Sequence, residues 1–305
     1  MPLTPRRRAA PIFSRRRRGR ASRVARWLLI PALVLAVFIG VTVARVVRDE
    51  KPSVPDPGPQ HVHALGLNPA DRSLFIATHT GLYRLQRDAQ RAERVSDRYQ
   101  DTMGFTVVGP DRFLGSGHPD LRDDLPPLLG LIGSSDAGKT WTSISLLGKA
   151  DFHALRVRGR RVVGYDATSG RVMISDDGGR SWKRRRTPEP LVDLVLSPSS
   201  TSELLAAGET RLFISRDGAR TWSVREQGSG LLAWPRRDRL YLVDGNGRSW
   251  WSPDGGRRWQ SRGQIGGRPA ALLAVGAATL YVATHKGEIK HSRDGGATWI
   301  ARSKP

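Results

Sequence analysis

An eight-residue pattern, Ser-x-Asp-x-Gly-x-Thr-Trp with small variations, occurs five times in the 305-residue chain, and its spacing limits the fold more than any other feature. The copies are Ser134–Trp141 (SSDAGKTW), Ser175–Trp182 (SDDGGRSW), Ser215–Trp222 (SRDGARTW), Ser252–Trp259 (SPDGGRRW) and Ser292–Trp299 (SRDGGATW). Their aspartates, Asp136, Asp177, Asp217, Asp254 and Asp294, follow one another at intervals of 41, 40, 37 and 40 residues. A period near 40 with strand-like flanks predicts four-stranded units that bury their faces against one another in a radial array. Six such units account for residues 61–305, with blades near 61–100, 101–149, 150–188, 189–228, 229–266 and 267–305. The first lacks the pattern but keeps matching strands in HVHALGLNP, SLFIATHTG, LYRL and RAERV. A seventh would need strands that the sequence does not supply. The expected class is therefore all-β, a six-bladed β-propeller.

The pattern suits a tight turn. Ser and Asp oxygens accept hydrogen bonds from nearby amides, glycine supplies positive φ, and the Trp begins the next strand with a large ring to bury. The third copy has Ala219 where the others have glycine; if φ is positive there, the strain is about 1 kcal/mol. These copies resemble the Asp-box, or BNR repeat, of sialidase-like propellers, over roughly residues 61–305. The resemblance implies that the turns join the third and fourth strands of each blade, on the face opposite the ligand site. It makes the five aspartates structural, not catalytic. Gly133–Thr140 (GSSDAGKT) also fits the phosphate-binding loop pattern. A true phosphate loop precedes a helix, whereas Trp141-Thr-Ser-Ile-Ser-Leu alternates like a strand, so the match reads as accidental.

The first 26 residues carry ten arginines and no acid, and the 18 residues Trp27–Ala44 that follow are uncharged. This predicts an Arg-rich cytoplasmic arm (1–26), a signal-anchor transmembrane helix (27–47) and a proline-rich linker (48–60), with the propeller outside a bacterial cell membrane. The competing expectation is secretion after cleavage near Thr42-Val-Ala44. Residues 1–60 hold 13 basic and 3 acidic groups, supplying +10 of the net +22. The arm therefore reads as a topology signal resting on anionic lipid, and a nucleic-acid partner is disfavoured. With no cysteine, disulfides and thiolate chemistry are excluded.

Blade topology sorts side chains by face. The start of an innermost strand and the link between second and third strands share one face. His61, His63 and His153 map to innermost-strand starts, and His79, His118 and His285 to second-strand ends; only His291 of the seven histidines falls elsewhere. Asp101, Asp151, Asp166 and Tyr165 map to the same face, as does the acidic, proline-rich insertion His118–Pro127 (HPDLRDDLPP). The expected ligand-binding set is His61, His63, His79, His118, His153, Tyr165 and His285.

Three uses of that face fit. The first is a module that holds an envelope protein or a glycan. The second is a glycoside hydrolase using carboxylates among Asp101, Asp120, Asp123, Asp151 and Asp166. The chain is similar to exported bacterial Asp-box proteins labelled glycosyl hydrolase or exo-sialidase, through HVHALGLNP, DTMGF, GHPDLRDD and DFHAL. A sialidase proper is disfavoured because its Arg-Ile-Pro motif does not occur. The third is a divalent metal, zinc by ligand type, held by His63, His153, His79 and Asp101.

Overall fold

The computed structural model describes Asp56, residues 58–225 and residues 228–303. The arm, the expected transmembrane helix and most of the linker lie outside the described residues, among which no helix is long and apolar enough to cross a membrane.

Among the described residues, six antiparallel sheets of four strands each follow one another along the chain. Every blade is a contiguous meander from an inner first strand to an outer fourth. The first strands are Val62–Leu67, Asp101–Gly109, Phe152–Arg158, Leu191–Leu196, Gly230–Arg236 and Pro269–Val275. Each lies against the next, and the last returns to the first, so the ring closes. The blade count agrees with the period of the sequence. Blade two starts at Asp101, as the period places it, and Asp101 pairs with His118 across the sheet. The fourth strand of blade three starts at Lys183, after the amide and hydroxyl of Ser181 have been taken by Asp177.

The core lies between blades. Leu194, Leu204 and Ala206 of blade four pack on Val163, Val172 and Ile174 of blade three, and the other seams repeat the arrangement. At the closing seam, Ala271, Ala283 and Ile289 meet Val62, Leu65, Ile76 and Tyr83. Burying apolar faces pairwise in this way is what drives neighbouring sheets together, at roughly 25 cal/mol per Å² of apolar surface removed from water.

The five Ser–Asp turns join third and fourth strands. In each, the Ser hydroxyl donates to an Asp carboxylate oxygen at 2.7–3.0 Å. The same hydroxyl accepts the amide four residues on, at 2.8–2.9 Å. The carboxylate is then filled by the amide and side chain of its own fourth successor, for example Thr221 N at 3.0 Å and Thr221 Oγ1 at 2.6 Å on Asp217. The turn also bonds the first-to-second strand link of its own blade, as in Gly178 N to Arg160 O at 2.9 Å. The Trp crosses to the preceding blade: Trp182 Nε1 donates to Ser145 Oγ at 2.9 Å and Trp222 Nε1 to Arg186 O at 3.0 Å. Gly133–Thr140 is one of these turns and is followed by the strand Thr142–Ser145.

Candidate functional site

Six converging first strands enclose an axial cavity of about 290 Å³. Its wall combines Leu65, Leu155, Val195, Leu232 and Leu272 with Arg156 and Asp193, while His63 and His153 stand at its rim. Because strands alternate in direction, the rim with the strand starts lies opposite the Ser–Asp turns. Most of the polar side chains expected there do meet.

At the seam between blades one and two, His79 Nδ1 lies 2.9 Å from Asp101 Oδ2 and His63 Nε2 lies 3.5 Å from Asp101 Oδ1. One ligand atom from each of His63, His79 and Asp101 falls within 4.8 Å of the others, a cluster positioned to chelate a divalent ion. His61 sits edge-on to His79 with ring centroids 6.0 Å apart. At the seam between blades two and three, His153 Nε2 is 2.9 Å from Asp151 Oδ2 and His118 Nε2 is 3.6 Å from the same oxygen. The hydrogen bond with Asp151 raises the His153 pKa above the ordinary imidazole value despite partial burial, and the charges of Asp101 and Asp166 add to the rise. Four atoms on this face are buried without a hydrogen-bond partner: His63 Nε2, Asp101 Oδ1 and Asp151 Oδ1 in the two seams, and Thr284 Oγ1 in blade six. Burying such atoms is costly, so they mark places where a ligand or ion gains most.

The other expected residues have different surroundings. Asp166 is 3% exposed and filled by local donors, Asp151 N at 3.0 Å, Thr168 Oγ1 at 3.0 Å and the hydroxyl of Ser169. Asp120 accepts Tyr99 N at 2.8 Å and Arg122 Nη2 at 2.6 Å, and those Arg122 bonds hold its carboxyl far below the usual range. Asp123 pairs with Arg98. These three aspartates hold backbone and flap in place. Tyr165 packs in the apolar seam between blades three and four. His285 is exposed, and its pKa is lowered by burial, Arg268 and His61. His291 stands apart, 6.1 Å from Tyr281 by ring centroids.

One feature of the cavity was not anticipated. Asp193 is buried in its wall, accepts Leu194 N at 2.7 Å and Leu232 N at 2.9 Å, and pairs with Arg156 Nη2 at 2.7 Å. Burial pushes its carboxyl up despite these partners. The signal was a single acid inside the apolar strand LVDLVL.

No protein-family model matches the chain, and no curated protein matches it. Solved structures do. A structure of YCF48 bound to D1 peptide is 16% identical with a TM-score of 0.53, covering 80% of this chain and 83% of that one. The nidogen/laminin complex gives 15% identity and a TM-score of 0.58 over 76% of this chain and 93% of that one. A GH74 xyloglucanase from Xanthomonas campestris gives 20% identity and a TM-score of 0.53 over 82% of this chain, which spans only 46% of the xyloglucanase. At these identities the likeness shows a shared propeller fold.

Proposed function

We propose that this chain is an exported, membrane-tethered Asp-box propeller that holds a protein segment or a glycan at the rim of its axial cavity. The observation that carries the reading is the concentration of His63, His79, Asp101, His118, Asp151 and His153 in two adjacent seams of one rim, with buried oxygens that lack partners. On the opposite rim the Ser–Asp turns fill their own aspartate carboxylates with local amides and hydroxyls, as at Asp217. Similar folds in YCF48 bound to D1 peptide and in a nidogen/laminin complex support a partner-holding role for this architecture. The sequence of residues 27–47 supports the tether.

The test compares two faces of one protein. The full chain, solubilised from membranes, is cross-linked in envelope extract as wild type, as Asp101→Asn/His153→Ala, and as Arg180→Ala/Arg220→Ala on the turn face. Capture of one stoichiometric partner should be lost with the first variant and kept with the second. The reverse pattern would overturn the reading. Alkaline carbonate extraction of the same membranes should leave the chain in the pellet; release into the supernatant removes the tether.

A second reading, glycoside hydrolysis, is favoured by Asp101 and Asp151 alone, since each keeps an unpartnered oxygen while Asp120 and Asp166 are filled. Turnover of a glycoside panel that disappears with Asp151→Asn would establish it. A panel without turnover ends it.

A further inference from the structure

Five of the six seams carry the tryptophan of a Ser–Asp turn: Trp141 between blades one and two, Trp182 between two and three, Trp222 between three and four, Trp259 between four and five, and Trp299 between five and six. The sixth, between blades six and one, has none among its described core residues. Blade one joins its third and fourth strands through residues 86–92 (QRDAQRA) instead, and Ala89 and Ala92 pack in that seam. Strand pairing removes a second indole there. Tyr241 pairs with Trp251 in blade five, whereas its counterpart in blade six, Tyr281, pairs with His291. A cleft of about 460 Å³ lies at this seam, lined in part by Leu67, Tyr281 and His291. The equivalent space one seam back, beside Tyr241 and Trp251, measures about 180 Å³.

The larger cleft is strongly positive. Arg72 comes from the link between the first two strands of blade one, Arg87 from the link that replaces the turn, Arg293 from the turn of blade six and Arg302 from its fourth strand. Against these four guanidiniums, Asp88 is the one carboxylate among the described lining residues. Arg72, Arg87 and Arg293 are exposed, and their side chains make no hydrogen bond or ion pair among the described residues. Arg302 donates to carbonyls only. By contrast, the smaller space holds Arg239, paired with Asp238 at 3.3 Å, and Asp294. His291 keeps a buried Nδ1 without a partner, and burial together with the charges of Arg293 and Arg302 lowers its pKa. Cations gathered with so little counter-charge repel one another, and an anion among them relieves the repulsion.

We propose that this cleft is a phosphate site: it takes the phosphate group of a small ester on Arg72, Arg87 and Arg293, with Leu67 and Tyr281 against the ester's carbon skeleton. A phosphate monoester carries about −1.5 to −2 charges at neutral pH and three strong acceptor oxygens, so it can satisfy several guanidinium forks where a carboxylate offers only two oxygens. The volume is within the range of small-molecule sites, about 300–1,000 Å³. Arg302 is already held by backbone carbonyls and forms a fixed part of the wall. The cleft is on the rim of the Ser–Asp turns, across the ring from the imidazoles, and does not depend on the function proposed above.

The test is a titration of the full chain in uncharged detergent at 150 mM NaCl, on the order of physiological ionic strength, so that loose pairing with surface arginines is screened. One arm adds glycerol 3-phosphate, and the other adds mixed micelles carrying phosphatidic acid, which presents the same group as a lipid headgroup. Calorimetry should give one saturable equivalent in at least one arm, and the arm that does so identifies the source. Arg72→Asn/Arg293→Ser should weaken that binding at least tenfold; asparagine tolerates the positive φ of Arg72, and the melting temperature should be kept. His291→Trp, which puts the blade-five residue in the same place, should also weaken it while leaving every guanidinium. Arg180→Ala/Arg220→Ala, which removes two turn-rim arginines outside the cleft, should not. No saturable binding in either arm, or equal affinity in wild type and Arg72→Asn/Arg293→Ser, would overturn the site. So would a loss of the same size in Arg180→Ala/Arg220→Ala. Partner capture at the histidine rim is read separately and stands or falls by itself.

Discussion

Each of the five turns places two successive residues at positive φ, from 60° to 91°, and eight of these ten positions are glycine. The exceptions are Ala137 (φ 61°) and Ala219 (φ 60°). Sequence alone exposed Ala219, where the pattern breaks, and missed Ala137, because its position in the pattern is nominally free. The second position is also the tighter one. A Cβ on Gly179 would stand 2.1 Å from Leu131 Cδ2, a side chain that is itself fully buried. Gly179→Ala should therefore combine about 1 kcal/mol of backbone strain with about 1–3 kcal/mol of overpacking. Ala137→Gly should stabilise by up to about 1 kcal/mol by relieving the same strain. Ala219→Gly should lie near zero, since its buried methyl contributes about 0.8 kcal/mol that would be lost. Urea midpoints at constant m-value would rank the three. Gly179→Ala within 0.5 kcal/mol of wild type, on the order of measurement error for such shifts, would refute the packing argument.

At the scale of the turn, the five aspartates act together. Hydrogen bonds from neighbouring hydroxyls, amides or an arginine lower all five pKa values, to about 2 at Asp136 and Asp254 and further at Asp177, Asp217 and Asp294. A folded pKa below the unfolded value of about 3.9 gives stability that is fully present above that value and lost as pH falls through the folded one. The melting temperature should thus be insensitive to these groups above about pH 5 and should fall steeply from about pH 4 to pH 2. Asp217→Asn should melt lower at neutral pH and show a shallower acid slope. A slope identical to wild type would show that Asp217 is not among the groups responsible. These turns were legible because nearly every bond in them spans four residues or fewer. The rim was legible to the extent that strand starts and second-strand ends can be counted from a regular period, which placed His63, His79, Asp101, His118, Asp151 and His153 together. Asp120 could not be separated from them, since one of its bonds comes from Tyr99, 21 residues away. Asp166 could have been, because Thr168 and Ser169 beside it are ordinary partners of a turn aspartate.

At the scale of the ring, the number of blades follows from the repeat, but the manner of closure does not. Among the described residues each blade is built from its own four consecutive strands, and no strand from one end of the propeller completes a sheet at the other. Closure must come from side-by-side packing of blades six and one and from bonds between their edges. Arg302, on the outer strand of blade six, supplies much of this. Its guanidinium donates to the carbonyls of Gln86, Arg87 and Ala89 in blade one, and Ser303 Oγ donates to Gln90 O at 3.0 Å. These contacts join residues more than 210 positions apart, beyond the reach of any local pattern. Charge-assisted bonds to carbonyls contribute about 1.5–3 kcal/mol when well shielded and less at a partly exposed edge such as this. Arg302→Ala should cost about 1–2 kcal/mol in global stability. Its clearer mark is local: amide exchange should quicken in Val62–Leu67 and Ile300–Ser303, on the two sides of the seam, before it changes in Leu204–Gly208 across the ring. Uniform acceleration in all six blades would mean that the propeller opens as one cooperative unit and that this seam is no weaker than the other five.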